Sequence, residues 1–85
     1  KLSSTLLFFN ADDPEQLQWA EAELKHHPKV KLILTKGSIK ATTRLFKQAV
    51  FFDLNGFLVS KFHIQALPAL LTQAGKSLQI TEVKL

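Results

Sequence analysis

Residues 62–80 read FHIQALPALLTQAGKSLQI, and this stretch decides the fold. Two strand-like runs follow Pro68, at residues 69–72 and 77–80, and four residues that include Gly75 separate them. Strand-like runs around a short, glycine-containing loop are typical of a β-hairpin. We therefore predict that residues 69–80 form two antiparallel strands.

Towards the N-terminus, apolar runs of strand length alternate with helix signals. Residues 5–9 and 30–34, TLLFF and VKLIL, are typical of strands that are covered on both faces. Between them, Asp13 followed by Pro14 predicts the N-cap and first residue of a helix that Pro28 ends. The inward face of this helix is predicted to consist of Leu17, Ala20 and Leu24.

A second helix is predicted from residue 39 to about residue 48, with Ser38 as its N-cap. Residues 50–52 are predicted to be extended, 53–56 to form a turn, and 57–64 to form a hairpin arm followed by one helical turn. Strand–helix–strand crossovers require parallel pairing of the first strands. The fold class is therefore α/β, a small mixed β-sheet in the order β-α-β-α-β-β with helices packed on it. The apolar side of the second helix is predicted to comprise Ile39, Thr42, Leu45, Phe46 and Ala49.

The composition indicates a single domain, residues 1–85, without thiol chemistry. The chain has 85 residues, of which 46% are hydrophobic, and it contains no cysteine. Thiolate catalysis and zinc–sulfur sites within this chain are therefore excluded. No apolar run approaches the roughly 20 residues that a membrane span needs, so we expect no direct membrane insertion. Because the chain has no initiator methionine, we expect an excised domain of a longer protein.

Charge is unevenly distributed along the chain, whose net charge is +4. Acidic residues gather within residues 12–23, whereas residues 25–47 carry basic residues and no acidic one. This polarisation suits an oriented protein–protein contact, and it also fits a solvated basic face, which is the more common meaning of such a pattern. The basic residues are spread over several elements and include a single arginine, so we expect no nucleic-acid binding.

Residues 62–76 resemble the second half of a thioredoxin fold. The shared pattern is an aromatic residue, an isoleucine two positions later, an apolar residue before Pro68, a buried strand and a glycine turn. In that family a cis peptide bond precedes the proline, so the resemblance implies one at Leu67–Pro68. Where thioredoxins carry two cysteines at a helix start, this chain has residues 10–14, Asn-Ala-Asp-Asp-Pro. The resemblance thus implies the architecture of a thioredoxin site without its redox chemistry.

From about residue 5 to its end, the chain resembles the TraW family of F-type conjugative transfer systems. Residues 8–20 are similar to that family's segment of a hydrophobic strand followed by D-D-P-x-Q-x-x-W-A. Residues 31–38 resemble its next strand and turn, and residues 50–82 follow its C-terminal portion. Ala11 and His63 stand where we expect glycine. The related TrbC family shares the C-terminal pattern and is the alternative.

This resemblance implies a non-catalytic, periplasmic protein-binding domain that acts in conjugative pilus assembly by type IV secretion machinery. TrbC-like and other pilus-assembly proteins are the implied partners, and no cofactor is implied. The groove is expected between the loop of Asp12 and Asp13 and the loop of Leu67 and Pro68, where Leu67 offers backbone groups to an extended segment. A redox module whose cysteines lie outside residues 1–85 is the alternative from a different class.

Trp19 and Phe57 complete the predicted protein-binding residues. Trp19 lies beside the inward stripe of the first helix, either at the edge of the core or as an anchor for a partner. A domain of this size cannot enclose all the phenylalanines of residues 46–62. We therefore expect Phe57, or one of Phe51 and Phe52, at the surface.

No metal site is expected. Asp12 and Asp13 have the pattern of helix caps, and a hard cation needs six or more oxygen ligands that the sequence does not supply. Residues 53–64 lack the middle Asx and the final Glu of a calcium loop. His26 and His27 are neighbours on a helix and point in different directions, which disfavours chelation of one ion.

Overall fold

The computed structural model describes residues 5–85, apart from the side chain of Ala74, and residues 1–4 of the predicted domain lie outside it. Its strands are β1 (Leu6–Asn10), β2 (Lys31–Lys36), β3 (Val50–Phe52), β4 (Ala69–Ala74) and β5 (Ser77–Glu82). Its α-helices are α1 (Pro14–His26), α2 (Ile39–Phe46) and α3 (Phe57–Lys61). A 3-10 turn, Leu54–Gly56, directly precedes α3.

The strands form one mixed sheet in the order β3-β2-β1-β4-β5. β2 pairs in parallel with both β1 and β3, as the two crossovers require. β4 pairs antiparallel with β1 and with β5. The predicted α/β class, parallel first strands and antiparallel hairpin are thereby confirmed, and the architecture is that of a small thioredoxin-like domain.

Helices cover both faces of the sheet, because successive strand side chains point to opposite faces. On one face, the first core cluster joins Leu7, Phe9 and Leu34 to Ala20 of α1 and Phe46 of α2. On the other face, the second core cluster contains Phe8, Ile33, Ile64, Ala69 and Leu71, with Leu58 and Val59 of α3 packed against it. The near-continuous apolar sequence of β1 and β2 follows from this burial on both sides.

Helix α2 is shorter and less buried than predicted. Ser38 caps it as expected, since its Oγ accepts the Ala41 N–H at 3.0 Å. The helix ends at Phe46 because Lys47 adopts a left-handed conformation, with φ of 57°. The sheet beside α2 is narrow, because its edge strand β3 has only three residues. Only Thr42 and Phe46 of the helix are therefore buried. The predicted apolar side was therefore wrong for three residues, which are exposed: Ile39, Leu45 and Ala49.

The prediction of a hairpin arm at residues 57–64 was wrong, since helix α3 forms there. Asp53 explains the difference. Its carboxylate is buried and accepts the backbone N–H groups of Leu58 at 2.7 Å and Val59 at 3.0 Å. These bonds satisfy donors at the start of the helix that have no partner within it.

The loop of the β4–β5 hairpin has two residues rather than the predicted four. Strand pairing continues through Gln73 with Leu78 and Ala74 with Ser77. Gly75 makes the tight turn possible, because its φ of 63° lies in the left-handed region that two-residue hairpin turns use.

Candidate protein-binding cleft

A cleft of about 440 Å³ lies between the start of α1 and the loop that enters β4. The α1 side contributes Asp13, Glu15 and Gln16, and the loop contributes Ala66 and Leu67. Glu82 at the end of β5 and the following residues, 83–85, complete its lining. The fold thus brings together Asp13 and Leu67, which were predicted to lie on opposite sides of one groove.

The α1 side of the cleft is held by a capping network. Asp13 Oδ1 accepts the Glu15 N–H at 3.0 Å, which confirms Asp13 as the N-cap. Gln16 donates from Nε2 to Asp13 Oδ2 at 3.2 Å. Its Oε1 accepts the Asn10 N–H at 2.8 Å, so Gln16 also ties α1 to the end of β1.

The opposite side is held by β5 and the residue after it. Glu82 Oε2 accepts the Gln65 N–H at 2.7 Å, and the Pro68 carbonyl accepts the Val83 N–H at 2.9 Å. The Leu67–Pro68 peptide bond is cis. Within residues 5–85, no hydrogen bond joins the backbone N–H or C=O of Leu67 to another group. A half-buried backbone position beside the cleft is therefore open to an extended segment.

The charged groups of the cleft are mainly acidic. Asp13, Glu15 and Glu82 contribute three carboxylates, and Lys84 contributes one ammonium group. The carboxylates of Asp13 and Glu82 already accept backbone hydrogen bonds. Glu15 and Glu82 are exposed. The local charge suits a ligand that carries N–H donors or a basic side chain.

The other predicted binding residues lie outside the lining of this cleft. Asp12 is exposed next to it, with its N–H donating to Asn10 Oδ1 at 2.8 Å. The Pro68 side chain is fully buried, so we expect it to position Leu67 rather than to contact a ligand.

Trp19 and Phe57 lie elsewhere on the molecule. Trp19 is half-buried and packs against the first core cluster, which is the core-edge arrangement considered for it. Phe57 is 66% exposed and borders a separate depression of about 430 Å³ with Leu54 and Lys61. The prediction that some phenylalanines lie at the surface is confirmed for Phe57 and for Phe51, which is 49% exposed.

Glu82 is a cleft residue that sequence reasoning did not place in the site. It lies 17 residues along the chain from Gln65, whose N–H it accepts, and it is the last residue of an edge strand that carries no recognisable motif. The one sequence feature that pointed to Glu82 was its place in the TraW-like pattern of residues 50–82. The contact shows why a carboxylate is useful there: it fixes the loop that carries Leu67.

In the part of the chain that the structure describes, no three histidine, aspartate or glutamate side chains are grouped as a metal site. Across the same residues, no helix has the length and apolar character needed to cross a membrane.

Comparison with known proteins gives one informative similarity. Protein TraW of Escherichia coli strain K12 is 36% identical over 67 residues, which cover 79% of this chain and 32% of that protein. The chain thus spans about a third of the length of this curated relative. No family model and no solved structure matches the chain. The similarity to TraW covers most of the fold described above, from which we conclude that this chain is a TraW-family segment that forms a small thioredoxin-like domain.

Proposed function

We propose that this domain is a non-catalytic protein-binding module that acts in conjugative transfer, in the assembly of an F-type pilus by type IV secretion machinery. The similarity to Protein TraW supports the process, and the cleft between Asp13 and Leu67 supports the mode of action. A periplasmic location and a TrbC-like partner belong to the same proposal, because they follow from the role that the TraW resemblance implies.

The cleft favours an extended segment as its ligand. The free backbone groups of Leu67 offer one donor and one acceptor for strand-like pairing, while the carboxylates beside it select for a basic side chain. We therefore propose that a TrbC-like protein inserts an extended segment with at least one lysine or arginine into the cleft.

The chemistry at the start of α1 supports the proposal of binding without catalysis. In redox-active relatives of this fold, a thiolate at that helix start gains from the helix dipole. Here the chain has no cysteine, and the Asp13 carboxylate uses its oxygens to cap the helix. The position thus contributes to the shape and charge of the cleft.

Charge reversal at Glu15 tests this proposal. Glu15→Lys changes an exposed carboxylate that lines the cleft and, unlike those of Asp13 and Glu82, is not used to hold the loop or the cap. We expect it to weaken binding of the TrbC-like protein from the same transfer system by about fivefold or more, measured by calorimetric titration. Its cost to α1 is at most about 1 kcal/mol, through the helix dipole, so folding is checked by circular dichroism.

Glu21→Lys is the matched control, because it makes the same charge change at an exposed position of the same helix outside the cleft. Binding is expected to stay within about twofold of the native value. Equal weakening by both substitutions would show that overall charge, rather than the cleft, governs binding. Unchanged binding with both would place the interface elsewhere.

A further inference from the structure

The two edges of the sheet differ in how far they are protected from pairing with another strand. β3 forms one edge and has only three residues. β5 forms the other edge and has six residues, paired with β4 in an unbroken register. Proteins usually protect long edges with lysine, proline or a bulge, and β5, SLQITE, has a single charge, on Glu82.

The outward side of β5 can be assigned to particular residues. In a two-residue hairpin the residues flanking the turn exchange hydrogen bonds, so Ser77 bonds to β4, and bonding then alternates along the strand. The Val83 N–H bonds to the Pro68 carbonyl, which agrees with this alternation. Leu78, Ile80 and Glu82 therefore direct their backbone N–H and C=O groups away from the sheet.

We propose that β5 pairs antiparallel with β5 of a second copy of this chain, with Gln79 on the twofold axis. This proposal does not depend on a partner in the cleft, and the two surfaces share Glu82, whose carboxylate also accepts the Gln65 N–H. In this register Leu78 lies opposite Ile80 of the other copy, and the two residues exchange backbone hydrogen bonds. The result is a continuous ten-stranded sheet across two chains.

The side chains of β5 are complementary in this register. Leu78 is 47% exposed, and it gains an apolar neighbour because Ile80 lies on the same face of the sheet. Lys76, at the hairpin turn, comes opposite Glu82 of the second copy, so each end of the ladder has a pair of opposite charges. A shift by two residues either way would instead place Lys76 or Glu82 opposite an apolar residue. The sequence thus favours the register centred on Gln79.

Cysteine cross-linking tests both the pairing and its register, since the native chain contains no cysteine. Gln79→Cys places two thiols opposite each other at a non-hydrogen-bonded pair, where the Cα atoms are about 4.5 Å apart. Thr81→Cys is the matched control, because Thr81 is also exposed and lies on the same face of β5. Its two Cα atoms would be roughly 14 Å apart, too far for a disulfide.

We expect the native chain to have the mass of a dimer in sedimentation experiments at concentrations on the order of 100 μM. Under the same mild oxidant, Gln79→Cys should form covalent dimers at least about tenfold faster than Thr81→Cys. A monomer mass for the native chain would overturn the proposal, and so would equal cross-linking rates for the two variants.

Discussion

Gly37 shows how one residue sets the geometry beside Ala11, in the loop that leads into α1. It follows β2 with φ of +114°, a conformation that side chains with a Cβ rarely adopt. A Cβ built on it would lie 2.7 Å from the Cβ of Ala11, and the Ala11 N–H donates to the Lys36 carbonyl at 2.9 Å. Ala11 stands where the TraW resemblance predicts glycine, and its methyl group therefore makes Gly37 the residue that must remain small.

Gly37→Ala should lower the free energy of unfolding by about 1–3 kcal/mol, because it combines backbone strain with this overlap. The double variant Ala11→Gly/Gly37→Ala removes the overlap and keeps the strain, so it should recover part of the loss. Urea unfolding of the native chain and both variants measures the difference. A Gly37→Ala variant as stable as the native chain would contradict this account.

At the scale of elements, α3 depends on a tertiary contact rather than on its own sequence. It has five residues, too few to form a stable helix alone. Asp53 ties its start to the sheet, since the Asp53 N–H donates to the Leu34 carbonyl at 2.8 Å while its carboxylate accepts two N–H groups of the helix. The same helix leads into the loop of Leu67, so Asp53 also supports one side of the cleft.

Asp53→Ala leaves two helix N–H groups without an acceptor, and we expect it to cost about 2–4 kcal/mol of stability. Asp53→Asn retains one acceptor oxygen and should cost less than Asp53→Ala. Thermal and urea unfolding followed by circular dichroism rank the three proteins. If Asp53→Ala and Asp53→Asn lower the free energy of unfolding equally, the two hydrogen bonds to the helix do not explain how Asp53 stabilises the fold.

Sequence signals of short range predicted the elements that depend on neighbouring residues. The caps at Asp13 and Ser38 and the glycine turn of the hairpin lie within three residues of the backbone groups that they serve. Helix α3 was not predictable in this way, because its start depends on the buried Asp53 carboxylate, which accepts N–H groups five and six residues further along the chain. The contribution of Glu82 to the acidic cleft could likewise not be predicted from the sequence, since Glu82 and Gln65 come together only in the fold.

At the scale of the whole molecule, the two ends of α1 carry residues of opposite charge. The acidic residues Asp13 and Glu15 lie at its start beside the cleft, and the basic residues Lys25 and His26 lie in its last turn, about 20 Å away. This order complements the helix dipole at both ends. It also leaves the cleft acidic in a chain whose net charge is +4, so a basic segment is attracted to the cleft and not to the molecule as a whole.

Binding of a TrbC-like protein in the cleft is tested most directly by an NMR titration of the isotope-labelled chain with that protein. We predict that the largest changes in amide signals occur at residues 13–16, 65–67 and 82–85, which come together only at the cleft. Changes concentrated around Phe51 and Phe57, with the Leu67 amide unaffected, would contradict the claim that this cleft holds the partner.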